Sequence, residues 1–395
     1  MPHSRERHII SLLQRKLKFA PVLALQGTRQ TGKSFLAREI LSGKIPHYYY
    51  ASLDRLSVRE FAIKNPETFL KQHSEFKTFA IDEAQKAPLL FDAIKYEVDQ
   101  KRIPGRYFLL GSTEFSKLSL IRESLTGRMS RARLYPMNLA EVYALPPNPV
   151  KNLFCTLDSP RFTRQQFLTH LERGGMPGIF GVQSKSERES LIQDWLELTV
   201  SRDAIQFPKV KIEPDLCMKI LQKVALLEAP EAGLIAKVLK VDLRKIKTHI
   251  HVLQSLFVLH ELKPHSLGIG KPKFFLCDVV FAKILGADFE RQLHTWLIQE
   301  QLSQRAYRDD RQSELSYYRT PKGSLIHLVV ETPGKELSVV KVFSEEKISE
   351  RDLEVLRAFK KKAPPEYKTH LYGLASDRQD RKKEGIQIVD WEAVG

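Results

Sequence analysis

Val22-Leu23-Ala24-Leu25-Gln26-Gly27-Thr28-Arg29-Gln30-Thr31-Gly32-Lys33-Ser34 is the stretch whose reading decides the fold. Its apolar start reads as a short buried parallel strand, and Gln26-Gly27 ends that strand in a glycine-punctuated turn. After Ser34, the apolar residues Phe35, Leu36, Ile40 and Leu41 recur at helical spacing. A strand, a glycine loop and a helix in that order form a phosphate cradle. Gly27 and Gly32 let the backbone N–H groups of Thr28, Arg29, Gln30 and Thr31 curl toward phosphate oxygens, and the helix start adds its positive dipole end. Lys33 is expected to reach the β- and γ-phosphates, and Ser34 to offer its hydroxyl to Mg²⁺.

Two further strand ends join this loop. Thr78-Phe79-Ala80-Ile81 is apolar and runs into Asp82-Glu83, two carboxylates at the strand edge where open α/β sheets place their ligands. Asp82 is expected to hold the Mg²⁺ shell, and Glu83 to orient and deprotonate a water. Arg106-Tyr107-Phe108-Leu109-Leu110 leads into Gly111-Ser112-Thr113, where Ser112, with Thr113 second, is placed to sense a γ-phosphate. ATP and Mg²⁺ are the expected cofactors.

These residues, with Tyr50-Ala51-Ser52-Leu53-Asp54, Ile81-Asp82-Glu83-Ala84-Gln85, Leu125-Thr126-Gly127-Arg128, Pro136 and Glu141, resemble the AAA+-type predicted ATPases of bacteria and archaea. The resemblance continues through Trp195 to Arg202-Asp203 and through Lys273-Phe274-Phe275-Leu276-Cys277-Asp278. It implies that Arg128 is a finger reaching the γ-phosphate held by a neighbouring subunit, hence a homo-oligomer. Arg131 and Arg133 stand as alternatives, and Arg202 as a weaker second sensor.

The whole chain has 395 residues, enough for several domains, and carries 63 Lys plus Arg against 47 Asp plus Glu, a net charge of +16. Such a surface attracts polyanions, and nucleic acid is the first expectation. No apolar run approaches membrane-spanning length, so no membrane partner is expected. Met1 to Arg15 lacks the apolar core of a secretory signal. Cys155, Cys217 and Cys277 form no close pair and read as thiols in a reducing cytoplasm.

Beyond the first block, Leu145-Pro146-Pro147-Asn148-Pro149 reads as a domain edge. The expected architecture is α/β: a P-loop AAA+ ATPase domain over 1–148, a helical lid over 149–212, a winged helix over 213–284, and a degenerate nuclease-like domain over 285–395. The winged helix is read from Met218–Leu227, Leu234–Leu239 and Leu243–Leu256, followed by a hairpin near Leu259 and Phe274. Arg244, Lys245 and Lys247 concentrate charge on its third helix, with Lys237 and Lys240 just before it, and Lys263, Lys271 and Lys273 sit on its wing. DNA contact is expected at Lys240, Arg244, Lys245, Lys247 and Lys271. His249 and His251 face different sides of a helix and read as no metal site.

The final block resembles the PD-(D/E)xK nuclease-like domain of the same family, in the order helix, three strands, helix. Its chemistry needs an acid on one strand and acid-x-Lys on the next. Here His327 stands at the first position, and Val339-Val340-Lys341 keeps only the lysine. Glu290, Glu300 and Glu331 stand as substitute acids, but the main ligand pair is absent, so the block reads as a nuclease fold without nuclease chemistry. Lys360, Lys361, Lys362 and Lys368, then Arg378, Arg381, Lys382 and Lys383, add basic surface. Two functions compete: an ATP-driven remodeller of duplex or branched DNA, and an ATP-operated signalling or defence switch that docks protein partners.

Overall fold

The structure is a computed structural model and describes residues 5–117, 125–147, 161–205, 207, 210–343, 348, 350–375, 382, 383 and 385–391. Asn148, Pro149, Cys155, Arg378 and Arg381 lie outside them, and so does the expected boundary at 148. Cys217 and Cys277 are buried free thiols.

The amphipathic α1 (Ile10–Leu17) precedes β1 (Val22–Gln26), the loop, and the short α2 (Lys33–Phe35), which continues as a π-helical turn through Leu41. Then come β2 (Tyr48–Ser52), α3 (Leu56–Lys64), α4 (Pro66–Lys71), β3 (Thr78–Asp82), α5 (Leu89–Gln100), β4 (Tyr107–Gly111), β5 (Met129–Arg133) and α6 (Leu139–Val142). The five strands pair in parallel in the order β2-β3-β4-β1-β5. Side chains alternate across a sheet, so each strand feeds two cores. Val22, Ala24, Phe79, Ile81 and Leu109 pack against α3, α4 and α5, while Leu23, Leu25, Phe108 and Leu110 face α1 and α2. Helices on both faces explain why these strands are apolar throughout rather than alternating.

The helical segment holds α7 (Arg164–Arg173), α8 (Pro177–Phe180) and α9 (Lys185–Leu198), and α9 runs into a π-helical turn over Thr199–Asp203. Thr163 and Gln166 form a capping box that starts α7, satisfying backbone donors that a helix start leaves open. Next are α10 (Pro214–Leu226), α11 (Ala232–Leu239), α12 (Leu243–Ser255), the antiparallel β6 (Leu259–Pro264) and β7 (Lys273–Leu276), and α13 (Val279–Ile284). Asp242 starts α12 by accepting from the Arg244 and Lys245 N–H groups.

The long α14 (Phe289–Tyr307), β8 (Glu314–Arg319), β9 (Leu325–Thr332), β10 (Glu336–Val342), α15 (Glu350–Lys362), β11 (Lys368–Ala375), β12 (Lys382–Lys383) and β13 (Ile386–Asp390) complete the chain. Their sheet has the order β12-β13-β11-β10-β9-β8-β6-β7. Packing runs across the expected boundaries at 212 and 284. One core joins Met176, Ile192 and Trp195 to α10, α12 and Phe281, and β6 pairs in parallel with β8. Among the described residues the hairpin is thus the end of an eight-stranded sheet. Periodicity reports which residues are buried, and it does not report against what.

Candidate functional site

Three strand ends bring the site together. Gly27 follows β1, and a Cβ there would lie 2.1 Å from the Leu134 carbonyl oxygen, so only glycine lets the loop leave the sheet at this angle. Gly32 takes φ +93°, a left-handed turn that aims the start of α2 back at the loop. Lys33 is buried and donates from Nζ to the carbonyls of Gly27 (2.8 Å) and Thr28 (2.7 Å). Burial chiefly pulls its pKa down to about 8, and the Glu83 and Asp82 carboxylates oppose that fall. An anion delivered to this ammonium restores its charge preference and replaces two carbonyl acceptors.

Asp82 is buried at the end of β3. Its Oδ2 accepts from the Tyr50 hydroxyl at 2.6 Å and its Oδ1 from the Glu83 N–H at 2.9 Å. The Tyr50 hydroxyl also lies against Ser34, so the pair expected to hold a metal is bridged by a tyrosine from the neighbouring strand. Burial, then the bond to Asp82, raises the Tyr50 pKa far above its ordinary value. Ser34 and Asp82 are oxygen donors, the type Mg²⁺ prefers, and two protein ligands suffice for an ion that keeps water and phosphate in its shell. The residues therefore fit Mg²⁺. Among the described residues there is no cluster of three or more His, Cys, Asp or Glu side chains able to hold a metal alone.

Glu83 holds φ 54° and ψ 40°, a left-handed conformation that costs a non-glycine residue roughly 1–2 kcal/mol. That turn carries its carboxylate to β4, where Oε2 accepts from Ser112 Oγ at 3.2 Å and from Gln85 Nε2. Gln85 also donates to Ser112 Oγ at 3.2 Å. Gln85 appears in the sequence only as part of a family string, and its hold on the carboxylate is visible only in three dimensions. Thr113 contributes its carbonyl, which accepts from Gln26 Nε2 at 2.8 Å.

Between the loop and α8 opens a cavity of about 500 Å³, lined by Arg5, Arg7, Arg29, Lys33, Ser34, Glu83, Ile40, Met137 and Pro177 among others. Its size suits a nucleotide-sized ligand, and its lining combines cations with apolar side chains. Arg29 of the loop is clamped by Asp203, both carboxylate oxygens accepting from Nη1 at 2.7 and 2.8 Å. Asp203, rather than the exposed Arg202, is the helical segment's contact with the loop.

Arg7 is a site residue that the sequence conceals. Fully buried, it donates to the carbonyls of Thr31 in the loop (2.7 Å) and Tyr135 (2.7 Å), and to the Tyr307 hydroxyl of α14 (3.1 Å). It pairs with Glu141 at 3.1 Å. Burial disfavours its charge, and Glu141 with Tyr307 more than offsets that, leaving its pKa above the ordinary value. Asp278 ties the same region to the far end of the chain by accepting from Gly175 N–H at 2.8 Å.

Arg128 precedes β5, where Met129 pairs with Val22 at the start of β1. The loop leaves the other end of β1, roughly 15 Å away at strand rise, so Arg128 does not reach the site of its own chain. Its guanidinium is held by Asp99 at 2.5 and 2.8 Å. Arg131 is exposed, and Arg133 stacks on Tyr135 and Phe257.

Of the basic residues on α11, α12 and the hairpin, Lys240, Arg244, Lys247 and Lys271 are exposed, and Lys245 is paired with Glu213 at 2.7 Å. Lys273 corrects the expectation of surface charge on the wing: it is buried under the Tyr317 ring, with its pKa pulled down to about 8 mainly by burial. Leu234, Val238 and Leu243 are exposed among these lysines. In the last sheet, His327 Nδ1 accepts from Val342 N–H at 3.0 Å and Nε2 faces Glu290 at 3.4 Å. Both ring nitrogens are thereby committed. Glu300 instead caps α6 through Leu139 N–H, and Glu331 accepts from the Tyr367 hydroxyl.

Residues 20–143 match the AAA domain family, and residues 164–312 match a domain of unknown function (DUF8612). The parallel sheet, the loop and the paired carboxylates give the first part of the chain the features of a P-loop domain, in agreement with the AAA domain match. Across more of its length the chain is similar to an uncharacterized protein of Mycobacterium tuberculosis, 25% identical over 348 residues, covering 83% of this chain and 72% of that one. Among solved structures it is similar to a Walker-type ATPase of Pyrococcus abyssi, with TM-score 0.43, 14% identity, and coverage of 72% of this chain and 98% of that one. The RuvB Holliday junction branch migration motor of Thermotoga maritima follows, with TM-score 0.31, 16% identity, and coverage of 64% and 88%. Among the described residues no helix is long and apolar enough to cross a membrane.

Proposed function

We propose that the chain hydrolyses ATP and couples the cycle to DNA. The meeting of Lys33, Ser34 and Glu83 in the lining of a nucleotide-sized cavity, with the Asp82 carboxylate close enough to act on Lys33, supports this reading most directly. Lys33 leaves the loop carbonyls for the β- and γ-phosphates, and Ser34 and Asp82 hold Mg²⁺. When bound, that ion neutralises charge developing on the phosphates. Glu83 takes the proton of the attacking water, with Ser112 and Gln85 fixing its carboxylate. Because Arg128 faces away from its own site, its finger role requires a second copy of the chain. Mixing Arg128→Ala with Lys33→Ala subunits is expected to restore part of the lost ATP turnover, since some interfaces regain an intact arginine facing an intact site. Mixtures as inactive as either variant alone would remove the finger role.

The DNA reading rests on Lys240, Arg244, Lys247 and Lys271, exposed on one winged-helix-like unit and suited to phosphate contacts. ATP turnover measured against single-stranded, duplex, forked and four-way DNA is expected to rise with at least one of them, with binding that weakens steeply as salt increases. Turnover indifferent to all four would reject it. One observation favours the switch reading: Leu234, Val238 and Leu243 put apolar surface on the same unit, which suits protein docking better than a phosphate backbone. The nuclease-like block lends no second chemistry, because His327 spends both nitrogens inside the fold.

A further inference from the structure

A second cavity, of about 730 Å³, lies along β2, the edge strand of the parallel sheet. It meets the nucleotide cavity at Ser34, and Asp82 lines it as well. Apart from Ser34 and Asp82, the proposed ATPase chemistry uses none of its lining residues. Two arginines line it, Arg38 and Arg55. Arg38 pairs with the adjacent Glu39 at 2.6 Å, with both side chains largely exposed, so the pair is weak and easily exchanged. Arg55 makes no ion pair among the described residues. Asp54, the carboxylate beside it, is already held by Lys86. The cavity therefore offers two exposed guanidinium forks, one in no ion pair among the described residues and the other held only by a weak surface pair, beside the Asp54 and Asp82 carboxylates, which already have partners. Its walls are of another kind: Tyr49, stacked on His73 with centroids 4.0 Å apart, and Phe61 present ring surface.

We propose that this cavity is a second ligand site, adjoining the nucleotide pocket at Ser34, that takes a small organic phosphomonoester. The phosphate sits on Arg38 and Arg55, whose planar forks match its oxygens, with the hydroxyls of Ser52 and Ser57 nearby. The cyclic body of the ligand covers Tyr49 and Phe61, which inorganic phosphate would leave bare. The volume falls in the range of small-molecule pockets. Tyr50 gives the site a route to the first one: it lines this cavity and its hydroxyl holds Asp82, so a ligand group that accepts that hydroxyl frees Asp82 beside Ser34. This coupling, unlike the binding itself, rests on the proposed roles of Ser34 and Asp82.

The test is calorimetric titration of the full-length Lys33→Ala protein, in which the nucleotide loop is disabled, with a nucleoside 5′-monophosphate, a hexose 6-phosphate and inorganic phosphate. At least one organic phosphate is expected to bind ten-fold or more tightly than inorganic phosphate, and which one binds identifies the source of the ring. Adding Arg38→Ala and Arg55→Ala is expected to weaken that binding at least ten-fold with an unchanged melting temperature, because both side chains are on the surface. Absence of organic phosphate binding, binding no tighter than inorganic phosphate, or binding indifferent to the two arginines would each overturn the proposal. Failure of the ATPase reading leaves this result untouched, since Lys33 is already removed.

Discussion

Glu83→Gln protein is expected to bind ATP with nearly the affinity of the unsubstituted chain and to turn it over roughly 10²–10⁴-fold more slowly, the usual contribution of a positioned general base. The amide keeps the shape of the side chain and still reaches Ser112 and Gln85, and it cannot take a proton from water. The φ of 54° at this position is kept as well, so the strain in the turn is common to both proteins. Rapid-quench turnover and equilibrium nucleotide binding, measured on the same preparation, separate chemistry from affinity. Normal turnover by Glu83→Gln would remove the carboxylate from the mechanism.

Glu141→Ala is expected to destabilise the fold by about 3–5 kcal/mol, because it leaves the Arg7 charge buried with no counter-charge. Glu141 also closes the capping box of α6 with Asn138 and accepts from His8 N–H, so one substitution opens several donors. Replacing both partners, as Arg7→Met with Glu141→Leu, is expected to recover much of that loss, since an apolar pair removes the stranded charge. Chemical denaturation of the three proteins checks both statements. Arg7 also bonds the Thr31 carbonyl in the loop and Tyr307 on α14, so the double variant tests a second point. If stability returns and nucleotide affinity does not, Arg7 is a positioning residue of the loop rather than a fold element alone.

Much of the site was legible along the chain because its chemistry is local. A glycine loop, Lys33-Ser34 and Asp82-Glu83 carry their meaning in adjacent residues: strand, turn and helix period dictate where the backbone N–H groups and carboxylates must point. The three strands and their apolar pattern were legible for the same reason, since burial on both faces writes itself as an unbroken apolar run. Ser112 was reached by the same logic of strand ends, and the structure brings its hydroxyl to Glu83.

Contacts between distant segments had no such signature. Arg7 lies 134 positions before Glu141 and 300 before Tyr307, and nothing in its neighbours marks it as the buried hub beneath the loop. Lys273 read as surface charge because lysine is rarely buried, and only the packing of Tyr317 over it reversed that. The clamp of Arg29 by Asp203, the bridge from Tyr50 to Asp82, and the sharing of one sheet by β6 and β8 are likewise decisions of the tertiary structure. A sequence determines which groups can do chemistry and how the chain curls around them over a few residues. Which distant charge is paired, which is buried, and which arginine faces its own site or a neighbour's depends on how elements pack, and the energy of that packing comes from surfaces the chain brings together only when folded.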